Sequence, residues 1–244
     1  MSEIDWFGTL RYLLLGTFPA GPPGGVALTV LLSVCSALLA AMIGLAGGIA
    51  LTMTRGMTHL TLTAVVAFFR AIPMLMLIFW TFFLMPILLH IDVPGLATLV
   101  CALALIGGAY LSHSVHAGIV SIGEGQRQAA ASLGLTRWQG LRYVILPQAV
   151  RVMMPSFINQ WVSLVKDTSL AYIVGTPEFT FLANQLNNRL MVYPAQIFLF
   201  VGFVYLFLCG TLQWFANRLL RRRTGVGPRA AQPQNIGYQS TLRK

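Results

Sequence analysis

Residues 121–151 read "SIGEGQRQAAASLGLTRWQGLRYVILPQAVR", a polar and basic segment inside an otherwise apolar chain. Two pairs of residues in it have the spacing of a capping box. In that motif a hydroxyl and an acid or amide three residues later satisfy backbone N–H groups at a helix start. Ser121 with Glu124 forms one pair, and Thr136 with Gln139 forms the other. The segment therefore predicts two short helices.

The residues between and after these helices predict how the segment turns. Gly134 lies where the first helix should end, a position that favours a residue able to adopt positive φ. Pro147 blocks a simple continuation of the second helix, because it lacks a backbone N–H and favours an extended residue or a kink before it. We therefore expect a short helix, a glycine elbow, a second short helix and a break at the proline.

The composition outside this segment is that of a polytopic membrane protein, since 57% of all residues are hydrophobic and only 9% are charged. The formal net charge of +10 comes largely from Lys and Arg in residues 121–151 and near the C-terminus. Such clusters are typical of the cytoplasmic loops of membrane proteins. No basic-aromatic interleaving or nucleic-acid-binding signature accompanies them, so no nucleic-acid partner is predicted.

Five apolar runs are long enough to approach the roughly 20 residues that a membrane span needs. The second run contains Arg70 and Pro73, which predict a helix kinked or broken near the proline and ending at His90. The sequence thus predicts an all-α polytopic membrane protein with about five transmembrane helices. The runs cover residues 26–53, about 60–89, 95–112, about 152–175 and about 194–217.

The predicted organisation has three parts. Residues 1–25 form an external interfacial leader, residues 26–220 form the transmembrane domain, and residues 221–244 form a basic tail with a disordered composition. With the 120–151 loop and the C-terminal arginines cytoplasmic, five spans place the N-terminus outside and the C-terminus in the cytoplasm.

A specific family resemblance is carried by "QAAASLG", nine residues and "VILP". It resembles the EAA loop of ABC-importer permeases, with Gln128 in place of the usual Glu and Val144 in place of Ile. The wider run "GGAY…AGIVSI…GQ…AAASLGL…VILPQAVR…P…KDTSL" is similar to the polar amino-acid branch, which includes histidine and glutamine permeases. "EIDW", "FFRAIPMLMLIFW" and "LGLTRWQ" most resemble the permeases of glutamate/aspartate importers. The positions that keep the motif are Ala129, Ala130, Gly134, Leu146 and Pro147.

The resemblance implies a type I ABC-importer permease in the bacterial inner membrane, which couples ATP hydrolysis by a partner to translocation of polar amino acids, glutamate or aspartate above all. It also implies a dimer of ABC ATPase subunits, a second permease chain (a heterodimer, with a homodimer as the alternative), an extracytoplasmic solute-binding protein and membrane lipid as partners. The sequence contains no GxxxxGK[ST] loop, so ATP hydrolysis is expected in a separate subunit. The chain is therefore not predicted to be an enzyme, and no cofactor is predicted.

The EAA-type loop is the predicted contact with the ATPase. Ala129 and Ala130 combine helix propensity with little bulk, so a partner can approach closely. Trp138, Leu141 and Ile145 recur at helical spacing and predict one apolar face. The alternative is an amphipathic hairpin packed on the membrane surface. The predicted coupling residues are Gln128, Ala129, Ala130, Gly134, Trp138, Leu141, Ile145 and Pro147.

A polar stripe in the fourth run is the candidate contact with the cargo. Its residues recur every three or four positions between Ser156 and Asp167, so they share one helix face. We expect Arg70 to clamp a carboxylate, Lys166 to add positive charge and Asp167 to pair with an α-ammonium group. The alternatives are a structural Arg70–Asp167 ion pair or a simple helix end at "KDTS". The predicted substrate-binding residues are Arg70, Asn159, Ser163, Lys166 and Asp167.

The histidines and cysteines do not have the number and spacing of ligands that a metal site needs. His113 and His116 are three residues apart, and two ligands without a nearby acid or thiol make a weak site. Pairing with Glu124 or with lipid headgroups is the simpler interpretation. The three cysteines lie in apolar runs and are expected to be buried and inert.

The sequence features fit two other classes of membrane protein, an embedded enzyme and an autonomous carrier, less well than an importer permease. A membrane-embedded enzyme would need a nucleophile with a base, paired carboxylates or a metal set, and the six acidic residues are scattered along the chain. An autonomous ion-coupled carrier often contains internal repeats, and five unequal runs show none. Both are weaker interpretations than the permease. A different amino-acid specificity within the ABC family is the alternative to glutamate or aspartate.

Overall fold

The computed structural model describes residues 6–90, 94–190 and 194–224, which form helices joined by turns. Two π-helical segments, Trp80–Leu84 and Leu141–Ile145, join α4 to α5 and α8 to α9, and a 3-10 helix, Thr168–Val174, extends α9. This architecture confirms the all-α fold class. The helices are α1 Trp6–Leu15, α2 Gly25–Met53, α3 Gly56–Ala71, α4 Met74–Phe79, α5 Met85–Leu89, α6 Gly95–Val120, α7 Glu124–Ser132, α8 Arg137–Gly140, α9 Leu146–Asp167, α10 Phe179–Leu190 and α11 Pro194–Thr224.

Three helices of the described chain, α2, α6 and α11, are long and apolar enough to cross a membrane. A fourth span is counted if α3 and the α4–α5 segment are taken together, although they are bent by 99° at their junction. The remaining predicted span corresponds to α9, which is amphipathic because it carries the polar stripe. It begins at Leu146, before the expected start at residue 152.

The break in the second apolar run lies at the predicted position. Helix α3 ends at Ala71, Ile72 is extended with φ −73° and ψ 130°, and α4 begins after Pro73. The cause is local, because the proline ring disfavours the α conformation in the residue before it. Irregular backbone at membrane depth is tolerated only where it is buried in protein or lines a cavity, and this break lines one.

The central helix pair is α2 with α6, and glycines allow its close approach. A Cβ at Gly44 would lie 2.4 Å from the Leu111 Cβ, and one at Gly48 would lie 2.5 Å from the Val115 Cβ. Small residues four positions apart are the usual means by which membrane helices pack closely. One core cluster extends from this pair towards α4 and α9, and a second joins its other end to the 121–151 segment.

A third core cluster packs α1, α10 and α11 around the fully buried Phe179. Glu178, which precedes α10, is also fully buried and accepts hydrogen bonds from the backbone N–H groups of Thr180 and Phe181, both at 2.8 Å. The Tyr205 hydroxyl of α11 donates to the same carboxylate at 3.1 Å. The acid thus caps α10 and ties it to α11.

The predicted tail differs in part from the structure, and parts of the predicted tail and leader lie outside the described residues. Helix α11 continues to Thr224, beyond the expected span end at residue 217 and into the predicted tail. The rest of that tail, residues 225–244, lies outside the described residues, as do the first five residues of the predicted leader.

Candidate functional site

The 121–151 segment begins differently from the prediction. The Ser121 hydroxyl donates to the Gly118 carbonyl at 2.8 Å instead of accepting from the next helix. Helix α7 starts at Glu124 after Gly123, which provides no side-chain cap. The predicted Ser121–Glu124 capping box is therefore wrong, because Ser121 extends α6 and satisfies a carbonyl of its last turn.

The second capping box and the elbow are confirmed. Thr136 accepts from the Gln139 backbone N–H at 3.3 Å, and the Thr136 N–H donates to the Gln139 side chain at 2.9 Å. Gly134 has φ +75°, and its N–H donates to the Ala131 carbonyl. The Leu135 N–H donates to the Ala130 carbonyl, which completes a Schellman end for α7.

The predicted break at Pro147 does not occur. Leu146 is in the right-handed α conformation, and the chain is helical without interruption from Arg137 to Asp167. Pro147 lies in the first turn of α9, where a missing N–H is tolerated, and the π-helical segment Leu141–Ile145 precedes it. The second short helix is therefore the beginning of the fourth predicted span.

The predicted coupling residues divide into two groups by exposure. Leu141 and Ile145 are buried against Val115 and Ile119 of α6, so they hold the loop on its own bundle. Trp138, in contrast, is 50% exposed. The buried members are Ala130, Leu141 and Ile145, and the exposed ones are Gln128, Ala129, Gly134, Trp138 and Pro147.

A polar cavity lies beside the helix break between α3 and α4. Its volume of about 720 Å³ is within the usual range for small-molecule sites. One wall is the α9 stripe, a second is the broken helix with Arg70, and a third is α6. The cavity contains four of the five predicted substrate-binding residues, namely Arg70, Asn159, Ser163 and Asp167. Lys166 does not line it and is exposed.

Arg70 and Asp167 face this cavity without forming an ion pair. Among the described residues the only salt bridge joins Arg127 to Glu124, at 3.6 Å. The Arg70 guanidinium instead lies over the Tyr110 ring, 5.2 Å from its centroid. The Arg70 Nε is buried and has no hydrogen-bond partner within the described chain. The alternative of a structural Arg70–Asp167 pair is therefore wrong.

Two cavity residues on α6, Tyr110 and Ser114, were missed by the sequence analysis. Their signal was available, since polar residues four positions apart lie on one helix face, and Tyr110 and Ser114 flank the end of the third apolar run. Ser156 and Gln160, noted only as parts of the polar stripe, also line the cavity.

The histidines form a different pair from the one considered in the sequence. The His116 ring lies 6.1 Å from that of His59, centroid to centroid, and its Nδ1 is 3.0 Å from the Thr52 hydroxyl. Glu124 pairs with Arg127 and not with His113 or His116, so the expected pairing of these histidines with Glu124 is wrong. In the described ranges, no three His, Cys, Asp or Glu side chains are grouped to hold a metal ion.

The cysteines are free, but they are not buried as expected. Cys35 and Cys101 are exposed on the surface of the chain, and Cys209 is half-buried. An apolar run alone did not distinguish the outward face of a membrane helix from its packed face, because both faces are apolar.

The family model and the similar proteins of known family agree with each other. Residues 40–225 match the family model described as the binding-protein-dependent transport system inner membrane component. The chain is 32% identical over 237 residues to the glutamate/aspartate import permease protein GltK of Escherichia coli, covering 91% of this chain and 99% of that protein. It is 30% identical over 202 residues to the glutamine transport system permease protein GlnP of Escherichia coli, covering 81% of this chain and 90% of the relative.

Solved structures show the same fold. An amino acid ABC transporter crystallised with histidines matches with a TM-score of 0.70 at 22% identity, covering 90% of this chain and 99% of that one. An inward-facing MetNI methionine ABC transporter matches with a TM-score of 0.71 at 22% identity, covering 91% and 99%. The predicted type I importer permease fold is confirmed. On the extent of these matches, the chain belongs to the family of binding-protein-dependent transport system inner membrane components.

Proposed function

We propose that this chain is the permease of an ABC importer that moves a polar amino acid through the cavity between α3, α6 and α9. The observation that carries this proposal is that Arg70 and Asp167 line one cavity without neutralising each other. An unpaired guanidinium and an unpaired carboxyl group suit the carboxylate and ammonium of an α-amino acid.

Glutamate or aspartate is the cargo that we propose, and glutamine is the second candidate. The similarity to a glutamate/aspartate import permease over 91% of the chain supports the first. The charges of the cavity favour glutamine, because Lys166 lies outside the cavity. Lys166 is the extra cation that would attract an acidic side chain. Uptake of labelled glutamate in competition with aspartate and glutamine distinguishes the two candidates.

The proposed path of coupling runs along one helix. The exposed residues of the loop, Trp138 among them, contact a separate ATPase, and the buried Leu141 and Ile145 fix the loop on α6. The continuous helix from Arg137 to Asp167 then joins the loop to the cavity. At 1.5 Å per residue this helix is on the order of 45 Å long, so a rotation at one end moves the other. Such a rigid element is suited to transmit a two-state change between distant sites.

The proposed assembly contains a second permease chain, two ATPase subunits and an external solute-binding protein. Unpartnered apolar surface supports a large partner or lipid contact, since α3 has no buried residue and α11 exposes several large side chains. We place the N-terminus outside and the C-terminus in the cytoplasm, because the basic 121–151 loop and the arginines after residue 217 would then be cytoplasmic.

The test is uptake by proteoliposomes that contain the full importer. Arg70→Ala should leave assembly and ATPase binding intact and reduce uptake by at least about tenfold, since a charged group at a binding site contributes more than about 1.4 kcal/mol. Lys166→Ala is the matched control and should keep uptake near the wild-type rate. Unchanged uptake by Arg70→Ala would remove the cavity from the transport path.

A further inference from the structure

A second polar cavity lies at the C-terminal end of α2, under the 121–151 loop. Its volume is about 510 Å³. The walls are the ends of α2 and α6, represented by Met53 and Ile119, together with residues of α7 and α8. Both α2 and α6 are long and apolar enough to cross a membrane, and both end here. We therefore place the cavity at the edge of the hydrocarbon layer.

The cavity is strongly cationic. Three arginines line it, Arg55, Arg127 and Arg137, and one acid, Glu124, so three positive charges and one negative charge leave a surplus of two. Arg127 is held in place, because its Nη2 donates to the Ile119 carbonyl at 3.3 Å. Its contact with Glu124 is long, at 3.6 Å, and half-exposed, which makes it a weak neutralising pair. Neither Arg55 nor Arg137 has an acidic partner within the described residues.

The cavity is also lined by apolar side chains. Met53, Leu141 and Ile145 line it, and the last two belong to the core cluster that seats the loop on α6. A site with guanidinium groups beside an aliphatic wall, at the depth of the headgroups, matches an amphipathic anion. Basic pockets at the cytoplasmic ends of membrane helices are known to take phospholipid headgroups.

The cavity shares only Gln128 with the exposed coupling residues that we propose to contact the ATPase. Trp138 and Leu133, two exposed apolar residues of the loop at 50% and 79% exposure, do not line it. An acidic side chain of a partner protein is therefore a weaker candidate than a lipid already present at this depth.

We propose that this cavity binds the phosphate headgroup of an anionic phospholipid and that the lipid fastens the coupling loop to the end of α2. The guanidinium groups of Arg55, Arg127 and Arg137 hold the phosphate, and the adjacent apolar wall contacts the glycerol and the start of an acyl chain. This inference uses the cytoplasmic placement of the loop that the proposed function assumes. Lipid occupancy would then stiffen the element that an ATPase moves.

The test measures binding of short-chain lipids to the full importer in neutral detergent, by native mass spectrometry. Dioctanoyl phosphatidylglycerol is compared with dioctanoyl phosphatidylcholine, which has the same chains but no net charge, and with inorganic phosphate. We expect the anionic lipid to bind more tightly than the zwitterionic one. Because each basic residue near an anionic headgroup contributes about 1 kcal/mol, Arg55→Gln or Arg137→Gln should weaken its binding about fivefold.

Arg142→Gln is the matched control. Arg142 lies in the same segment, over the Tyr143 ring at 5.9 Å, and does not line the cavity. It should leave lipid binding unchanged. Arg55→Lys keeps the charge and should bind the anionic lipid better than Arg55→Gln, which separates loss of charge from misfolding.

Three results would overturn the inference. They are equal binding of the two lipids, an equal loss with Arg142→Gln, and displacement of the anionic lipid by equimolar inorganic phosphate, which would indicate a site for free anions. Lipid binding is measured by mass spectrometry and does not depend on uptake. Intact uptake with no lipid selectivity would therefore reject this inference alone, and intact lipid binding with uptake unaffected by Arg70→Ala would reject only the proposed function.

Discussion

The Tyr110 hydroxyl donates a hydrogen bond of 3.3 Å to the backbone carbonyl of Arg70, whose guanidinium lies over the same tyrosine ring. The carbonyl is in the last turn of α3, just before the extended Ile72, so it has lost the helical partner that a continuing helix would supply. One side chain of α6 thus stabilises both the end of the broken helix and the cation at the cavity. Tyr110 is a positioning residue for Arg70.

This relationship predicts a graded effect of changes at Tyr110. Tyr110→Leu removes the ring and the hydroxyl and should raise the substrate concentration for half-maximal uptake several-fold, because a cation–π contact is worth about 0.5–2 kcal/mol. Tyr110→Phe keeps the ring and should have the smaller effect. The measurement is concentration-dependent uptake in proteoliposomes. Equal values for the two variants would show that the ring does not position Arg70.

The two groups of loop residues should respond differently to truncation. Trp138→Ala should weaken ATPase binding by at least about tenfold with little change in stability, since an exposed tryptophan is a frequent anchor of interfaces. Ile145→Ala, at a position only 6% exposed, should destabilise the permease by about 2–5 kcal/mol. ATPase titration and thermal unfolding measure the two effects. An unchanged ATPase affinity in Trp138→Ala contradicts the proposed docking surface.

The glycines of α2 provide a test of the central helix pair. Gly48→Ala would place a Cβ 2.5 Å from the Val115 Cβ and 2.8 Å from the Ser112 carbonyl, so α2 and α6 must separate. We expect a loss of about 1–3 kcal/mol in unfolding free energy. Gly202→Ala on α11 is the control, because nothing lies within 4 Å of its added Cβ. Equal unfolding midpoints for the two variants would mean that this contact is loose.

Glu178 should give the stability of the protein a pH dependence. It lies between the 3-10 helix and α10, outside the spanning segments, and burial raises the pKa of its carboxyl group from 4.5 to about 7. Between these values the folded state binds more protons than the unfolded state, so the contribution of this residue to stability falls as pH rises through that window. Glu178→Gln should flatten the decline, which thermal unfolding from pH 5 to pH 8 measures. A slope unchanged in Glu178→Gln would show that Glu178 does not titrate in this window.

Much of the site was predictable because its signals are local. Pro73 ends a helix through its own ring, Gly134 adopts positive φ without steric cost, and Thr136 caps the helix that it begins. The Gly44-x-x-x-Gly48 spacing carried a signal for close helix packing that the sequence analysis did not use. Where a residue had two possible local partners, as Ser121 did, the sequence did not indicate which one it would take.

The sequence by itself therefore determined the helical runs, the break at Pro73, the elbow and the family, since hydrophobic length, turn chemistry and motif spacing are properties of neighbouring residues. Only the tertiary structure decided that Arg70 and Asp167 share a cavity without pairing, that Lys166 lies outside it, and that the helix continues through Pro147. It also decided that Glu178 is buried. The physical reason is that charge pairing and burial depend on distances between helices far apart in the chain, and a periodic pattern gives the face of a helix but not the neighbour that covers it.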